Sequence, residues 1–254
     1  MRAGLVAVAL LVSACSSPWG TQAAAPARPS ALVDAGVYAA IGASETVGIG
    51  AAHPERDAWT QDFYRRALPE RAIFYNFGQP GATAEDAVSA ELPDAVQVRP
   101  DLVTVWLNTN DIIHGVAVGD YESRLDAIVK ELRRAKARVL VANTPQLDGL
   151  PAYRDCLKAD QEGSRCLIHG RTPPAPAELD GTIAAYNASI ARVAARYGAT
   201  VVDLNCQGDM ATRHPDWVSA DGFHPTAQGY RVIASAFEAA LAGRSSCSPA
   251  AATG

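Results

Sequence analysis

Residues 103–107 read Val-Thr-Val-Trp-Leu, a run in which only the threonine is polar. A strand buried on one face alternates apolar and polar side chains, whereas a strand covered on both faces is apolar on successive residues. The run therefore predicts a central strand of a parallel sheet. Similar β-like runs lie on either side of it, and the predicted strands are Val37–Gly42, Ile73–Phe77, Leu102–Leu107, Val139–Asn143 and Thr200–Leu204.

Segments with apolar residues at three-to-four spacing lie between these strands, which is the periodicity of an amphipathic helix. The predicted helices are Trp59–Leu68, Ala84–Leu92, Tyr121–Ala135 and Ile183–Tyr197. Strands that alternate with helices imply a parallel sheet with helices on both faces. We therefore expect an α/β protein with a three-layer α/β/α architecture and a five-stranded parallel sheet.

The composition is that of a globular domain with a substantial core. The chain has 254 residues, of which 48% are hydrophobic and 19% charged, and its formal net charge is −5. These values are ordinary for one large α/β domain. The sequence has no basic stripe that could neutralise a run of phosphates, so no nucleic-acid partner is expected. We expect a monomer.

The N-terminus has the pattern of an export signal. Arg2 precedes the apolar run Ala3–Val12, which is too short to span a bilayer but suits the core of a signal peptide. The ending Val12-Ser13-Ala14-Cys15 resembles the lipobox of bacterial lipoproteins, which implies cleavage before Cys15 and a membrane anchor through a lipid on its thiol. A plain secretory signal, which would release a soluble protein, is the alternative.

These features divide the chain into four parts. The expected parts are a signal peptide (1–14), a lipidated Cys15 with a flexible tether rich in Ala, Pro and Ser (15–35), the folded domain (36–243) and a C-terminal tail (244–254). The expected location is the cell envelope.

The cysteine count agrees with export. Five cysteines are an odd number, and lipidation of Cys15 would leave four. Four cysteines in an oxidising compartment indicate two disulfides, and nearness along the chain favours Cys156–Cys166 and Cys206–Cys247 among the three connectivities. No Cys-x-x-Cys pair typical of zinc sites occurs, so no metal is expected. The segment 146–180 lacks clear periodicity, holds the first cysteine pair and predicts a functional loop.

Small and polar residues follow three of the predicted strands, where open α/β sheets bind ligands. Ser44, in Gly42-Ala43-Ser44-Glu45, is placed to expose its hydroxyl at the sheet edge, although it could instead cap the next helix. Gly81 lies in a tight Gly-Gln-Pro-Gly turn, and its N–H could donate to an oxyanion. Asn110 offers a neutral amide donor. Glycine and asparagine are also common in ordinary turns, so Gly81 and Asn110 could instead be turn residues.

The segment Asp221-Gly222-Phe223-His224-Pro225 carries the most specific pattern. A carboxylate three residues before a histidine can accept from the Nδ1–H group, which leaves Nε2 facing a nucleophile. His214, which has Asp216 nearby, is the nearest rival among the other histidines.

These four groups, in this order, resemble the SGNH hydrolases, also called the GDSL esterase/lipase superfamily, over roughly residues 37–242. The resemblance implies a flavodoxin-like fold and a carboxylic ester hydrolase that needs no cofactor. It also implies a triad of Ser44 as nucleophile, His224 as general base and Asp221 as the group that orients the histidine. The N–H groups of Ser44 and Gly81 and the amide of Asn110 would form the oxyanion hole.

Three residues depart from the family pattern. Ala43 stands where Asp is usual, Glu45 where Leu is frequent, and Asn108 where Gly is normal. The change to Ala43 affects the expected loop structure more than the expected chemistry, and Asn108 is expected to narrow the site beside Asn110.

The expected substrate is a small-molecule or glycan ester, with short-chain or carbohydrate O-acyl esters favoured. Two alternatives remain: a lysophospholipase or thioesterase of the same fold, and a non-catalytic cell-surface binding lipoprotein.

Overall fold

Five parallel strands form the sheet in the computed structural model, which describes residues 31–158 and 165–247. They are β1 (Val37–Gly42), β2 (Ile73–Asn76), β3 (Leu102–Trp106), β4 (Arg138–Ala142) and β5 (Thr200–Val202). Every residue of β3 is buried, as the apolar run predicted. All five strands lie within two residues of their predicted bounds, and the predicted fold class is confirmed.

The strand order β2-β1-β3-β4-β5 is that of flavodoxin-like sheets. The chain runs from β1 outward to β2 and then returns to β3 on the other side of β1, so the order reverses between β1 and β3. The register pairs Gly42, at the end of β1, with Trp106, at the end of β3. Since ligands bind outside the carboxyl ends of strands at such a reversal, the loops after β1 and β3 are the expected place for a site.

Helices cover both faces of the sheet. The described helices are α1 (Ser44–Val47), α2 (Pro54–Asp57), α3 (Trp59–Ala67), α4 (Ala84–Asp86), α5 (Leu92–Gln97), α6 (Thr109–His114), α7 (Val118–Arg134), α8 (Pro151–Cys156), α9 (Pro176–Tyr197), α10 (Met210–Arg213) and α11 (Ala227–Leu241). On one face α3 packs against α11, and on the other α7 packs against α9. The result is three layers.

Each face of the sheet has its own core. The core beneath α3 and α11 is rich in aromatic rings: Trp59 stacks on Phe237 with centroids 4.0 Å apart, and Phe63 meets Phe237 edge to face. The core beneath α7 and α9 is largely aliphatic and includes Leu125 and Ile128. All five side chains are fully buried, so the strand ends rest on a closely packed support.

The helix predicted over Ala84–Leu92 continues to Gln97. α4 passes into a π-helical turn, Ala87–Glu91, and α5 follows directly. The predicted end at Leu92 is wrong because Pro93 lies in the first turn of α5, where the missing N–H of a proline breaks no helical hydrogen bond.

The segment 146–180 is more regular than predicted. It contains α8, and α9 begins at Pro176 rather than at the predicted Ile183. Proline suits a first helical position because its φ is already helical, and this signal was overlooked. Within the segment the structure joins Cys156 to Cys166, with Cα atoms 4.7 Å apart.

Both ends of the domain extend beyond the predicted limits. In the predicted tether, Leu32 N–H donates to the Ala67 carbonyl and Ala35 is buried. In the predicted tail, Ser246 exchanges hydrogen bonds with the backbone of Asp203. Leu32, Ala35 and Ser246 therefore pack against the folded domain.

The second cysteine pair fastens the C-terminal end, since Cys247 is joined to Cys206. Both disulfides pair the cysteines that sequence distance favoured, and disulfides are typical of exported proteins. The predicted signal peptide and Cys15 lie outside the described residues. Among the helices of the described part, none is long and apolar enough to cross a membrane.

Candidate active site

Ser44 directly follows β1 and is the first residue of α1. The turn that presents it is tight, since a Cβ on Gly42 would lie 2.1 Å from Thr46 Oγ1 and 2.8 Å from the Trp106 carbonyl oxygen. Only glycine fits such a space. The N-cap of α1 is Ala43, so Ser44 does not cap this helix. Its hydroxyl lies at the point where the strand order reverses.

His224 lies next to Ser44, although 180 residues separate them along the chain. The distance from His224 Nε2 to Ser44 Oγ is 2.9 Å, and the distance from His224 Nδ1 to Asp221 Oδ2 is 2.6 Å. The structure therefore brings together the three residues predicted as a triad. His214, the predicted rival, instead stacks its ring on Trp217 with centroids 3.8 Å apart.

Asp221 is held as an ionised acceptor. Its Oδ1 accepts from the N–H groups of Phe223 and His224 and from the hydroxyl of Ser219. Burial acts to raise the pKa of Asp221, but the hydrogen bonds from His224, Phe223 and Ser219 outweigh burial and lower that pKa to about 2. An ionised Asp221 accepts the Nδ1–H of His224, which leaves Nε2 free to accept a proton from Ser44.

The loop after α1 packs against the histidine. Gly50 has a φ of +97°, and a Cβ there would lie 2.6 Å from His224 Cβ. The hydroxyl of Tyr230, in α11, donates to the carbonyl of Ile49 at 2.5 Å. The position of the imidazole is therefore limited by this loop as well as by Asp221.

The loops after β2 and β3 are tied together near Gly81 and Asn110. Asn110 Nδ2 donates to the Ala82 carbonyl at 3.0 Å, and the Asp111 carboxylate accepts from Ala84 N–H at 3.1 Å. Gly81 has a φ of +83°, and no atom lies within 4 Å of its Cβ position, so the space on that side of its Cα is open. A primary amide carries two N–H groups, and the bond to Ala82 uses one of those on Asn110. The second N–H group of Asn110 is suited to donate a hydrogen bond to an anion at this position.

Asn108 has a structural role. Its Nδ2 donates to the Ala142 carbonyl at 3.3 Å, and its Oδ1 accepts from the Thr109 hydroxyl at 3.1 Å. The bond to Ala142 connects the ends of β3 and β4. The contacts of Asn108 are with this edge of the sheet, and the expected narrowing of the site beside Asn110 stays a prediction.

Three buried carboxyl groups near the site were not predicted. Glu45 Oε2 lies 3.3 Å from Ser44 Oγ, and burial raises the pKa of Glu45. Glu91 accepts from Gly42 N–H at 2.7 Å, and burial raises the pKa of Glu91 to about 8. Burial likewise raises the pKa of Asp111 to about 6. Acidic residues are usually exposed, so only the departure of Glu45 from the family pattern marked any of them in the sequence.

An apolar pocket lies beside the triad. The space between its atoms, open solvent included, is about 810 Å³, and its wall includes Glu45, Phe223 and Pro225, which adjoin Ser44 and His224 in sequence. Large apolar side chains form much of the rest, among them Trp106, Leu147, Leu150, Leu204, Met210, Trp217 and Ile233.

A second pocket of about 450 Å³ shares Thr109, Leu147, Leu150 and Phe223 with the first. Its wall continues over Cys156 and Leu167 of the disulfide-bonded segment. The segment 146–180 therefore shapes both pockets.

One group of three side chains in the described part is close enough to share a metal ion, namely Asp203, Cys206 and Cys247. The two sulfur atoms are joined in a disulfide, so they are not thiolate ligands.

The model of the GDSL-like lipase/acylhydrolase family matches residues 40–232, three quarters of the chain, including Ser44, Asp221 and His224. This chain belongs to that family. The GDSL-like acylhydrolase is accordingly a carboxylic ester hydrolase, as the resemblance implied. A search of curated proteins by sequence found no match.

Solved structures share the fold of this GDSL-like acylhydrolase at low sequence identity. LAE5, an alpha/beta hydrolase enzyme from the metagenome of Lake Arreo, is 22% identical, with a TM-score of 0.61 over 83% of this chain and 97% of its own. The psychrotrophic esterase EstA from Pseudoalteromonas is 16% identical, with a TM-score of 0.59 over 81% and 96%. The acetyl xylan esterase AlAXEase is 19% identical, with a TM-score of 0.56 over 79% and 97%.

Proposed function

We propose that this chain is a serine esterase in which Ser44 is the nucleophile, His224 the general base and Asp221 the group that orients His224. The observation that carries the proposal is the unbroken row of hydrogen bonds from Asp221 Oδ2 through the imidazole to Ser44 Oγ. A serine hydroxyl is a weak nucleophile unless a neighbouring base takes its proton. Ser44 has such a base at 2.9 Å.

The first half of the reaction acylates the enzyme. Ser44 Oγ attacks the carbonyl carbon of the ester while its proton passes to His224 Nε2. The carbonyl oxygen becomes an oxyanion, which accepts hydrogen bonds from the N–H groups of Ser44 and Gly81 and from the side-chain amide of Asn110. The oxyanion then collapses, the bond to the alcohol oxygen breaks, and His224 returns the proton to the departing alcohol.

The second half repeats these steps with water. Water gives a proton to His224 and attacks the acyl-enzyme, and His224 protonates Ser44 Oγ as the carboxylic acid leaves. The ionised Asp221 stabilises the imidazolium that forms in each half.

Removal of the nucleophile tests the triad. Ser44→Ala should lower kcat for a generic aryl acetate by about 10³ or more and abolish labelling by a fluorophosphonate probe. Ser123→Ala, which changes an exposed serine on α7, is the matched control and should keep both the turnover and the fluorophosphonate labelling. Labelling or near-normal turnover in Ser44→Ala would end the proposal. Absence of labelling in the unaltered protein would favour the non-catalytic binding alternative.

We propose short-chain or carbohydrate O-acyl esters as the substrates. The fold likeness to an acetyl xylan esterase supports this class. The apolar pocket favours a second candidate, an ester with a longer acyl chain such as a lysophospholipid or thioester, since large apolar side chains form much of its wall.

A panel of acetylated sugars, aryl esters of increasing chain length, acyl thioesters and lysophospholipid separates these candidates. If the pocket holds the acyl chain, Leu150→Trp should reduce turnover of long esters and leave acetate turnover unchanged, because Leu150 lines both pockets. If Leu150→Trp changed the turnover of short and long esters by the same factor, the pocket would be excluded as the site of the acyl chain.

We also propose that the protein is exported and anchored through a lipid on Cys15. The short apolar run of the N-terminus and the two disulfides support export. Cys15→Ser should abolish incorporation of radiolabelled palmitate and release the protein from the membrane fraction. Unchanged fractionation of this variant would favour a plain secretory signal.

A further inference from the structure

Glu45 is a buried acid beside the reacting atom of the enzyme. Only 8% of the residue is exposed, and it forms part of the wall of the largely apolar pocket. A carboxyl group is costly to bury in its charged form unless a cation is paired with it. Among the described residues, no lysine or arginine forms an ion pair with Glu45.

Two acceptors lie within reach of the Ser44 hydroxyl. His224 Nε2 is 2.9 Å from Ser44 Oγ, and Glu45 Oε2 is 3.3 Å from it. A serine has a single hydroxyl proton, so it donates to one acceptor at a time. Attack on an ester requires that this proton be directed to His224, because His224 is the base that removes it.

The protonation state of Glu45 decides whether the two acceptors compete. A carboxylate accepts only and attracts the Ser44 proton away from His224. A neutral carboxylic acid carries an O–H group, which can donate to Ser44 Oγ and leaves the serine proton for His224. The contact between Glu45 and Ser44 is therefore compatible with catalysis when Glu45 is a neutral acid and opposes catalysis when Glu45 is a carboxylate.

The polar groups that act on the Glu45 carboxyl are its own backbone N–H, the Ser44 hydroxyl, and His224 and Asp221 from the triad loop; the backbone N–H, His224 and Ser44 lower the pKa of Glu45. Burial, the largest influence, raises the pKa of Glu45 and so favours its neutral form. The negative charge of Asp221 acts in the same direction, whereas His224 acts against it.

We propose that Glu45 is a positioning residue that supports catalysis as a neutral acid and inhibits it as a carboxylate, so that activity falls as Glu45 ionises. The proposal rests on the triad proposed above. It explains why an acid is tolerated where relatives often have leucine: a neutral glutamic acid can donate to Ser44 Oγ and a leucine has no acceptor, so either can leave the serine proton to His224.

The sign of the pH dependence follows. On the acid side kcat/KM rises with pH as His224 loses its proton and becomes able to act as base. On the alkaline side kcat and kcat/KM fall as Glu45 ionises, by about tenfold per pH unit once the carboxylate predominates. The unaltered enzyme should therefore give a bell-shaped profile.

The test compares pH profiles of the full chain with an aryl acetate from about pH 5 to about pH 10. Glu45→Gln keeps the size of the side chain and a donor but cannot ionise, so its profile should rise and then stay level. Glu45→Leu, a second variant without a carboxyl group, should also lack the alkaline fall. Glu91→Gln is the matched control, since Glu91 is also a buried acid but bonds Gly42 rather than Ser44, and it should retain the fall.

Three results would overturn the proposal: no alkaline fall in the unaltered enzyme, an unchanged fall in both Glu45 variants, or a fall removed by Glu91→Gln instead. These outcomes are distinct from failure of the triad. In that case Ser44→Ala would stay active and keep its fluorophosphonate label, whatever the shape of the pH profile.

Discussion

The burial of Glu91 should make the stability of this fold depend on pH. The side chain of Glu91 extends from the π-helical turn to the end of β1, where Oε2 accepts from Gly42 N–H at 2.7 Å. The other oxygen, Oε1, is buried without a hydrogen-bond partner among the described residues. Burial raises the pKa of Glu91 from 4.5 to about 8, and only 1% of the residue is exposed.

This pKa sets both the sign and the size of a pH effect. Between pH 4.5 and about 8 the folded protein holds a proton that the unfolded chain has released, so stability falls as pH rises through this interval. The stabilising contribution is complete below pH 4.5 and lost above about pH 8. At about 1.36 kcal/mol per pH unit, the whole interval amounts to roughly 5 kcal/mol, which is an upper bound.

Glu91→Gln removes this titration and keeps the carbonyl that accepts from Gly42. Urea unfolding with the disulfides intact should show the variant less stable at about pH 5, by about 1–3 kcal/mol, because its buried NH₂ group lacks a partner. Its stability relative to the unaltered protein should then rise by up to about 4 kcal/mol toward pH 9. Glu70→Gln, at an exposed position, is the control and should run parallel to the unaltered protein. If the free energies of unfolding of Glu91→Gln and the unaltered protein differed by a constant amount from about pH 5 to about pH 9, the reasoning would be refuted.

Three further predictions concern the oxyanion donor, the histidine and the core. Asn110→Ala should lower kcat by about 10²–10³ in steady-state assays, and a loss below about threefold would argue against an oxyanion role. Gly50→Ala should lower kcat because its Cβ would lie 2.6 Å from that of His224, and a crystal structure with an undisplaced imidazole would contradict this reason. Phe237→Ala should lower the free energy of unfolding by about 3–5 kcal/mol, since this ring is fully buried against Trp59; a loss below about 1 kcal/mol would contradict it.

Features that depend on neighbours in the chain were predictable. The apolar run of β3 indicated a strand covered on both faces, and the structure buries all of it. The pairing of Asp221 with His224 spans three residues, so the Asp-x-x-His pattern was enough to predict it. The helix ends were less accurate, because the prolines at 93 and 176 were not treated as helix starts.

The meeting of Ser44 with His224 depended on family resemblance at the level of sequence, since 180 residues lie between them. The sheet order supplies the physical cause. The reversal between β1 and β3 brings the loop of Ser44 to a crevice at the carboxyl ends of the strands, and the chain returns there just before α11.

Periodicity and local motifs were thus sufficient to predict the strands, the class of fold and the Asp221–His224 pair, because these depend on residues a few positions apart. The buried states of Glu45, Glu91 and Asp111 followed only from tertiary packing. Whether an acidic side chain is solvated or enclosed depends on which distant helices and loops cover it, and the same packing moves its pKa. For this reason the burial of these three acids became visible only in the folded protein.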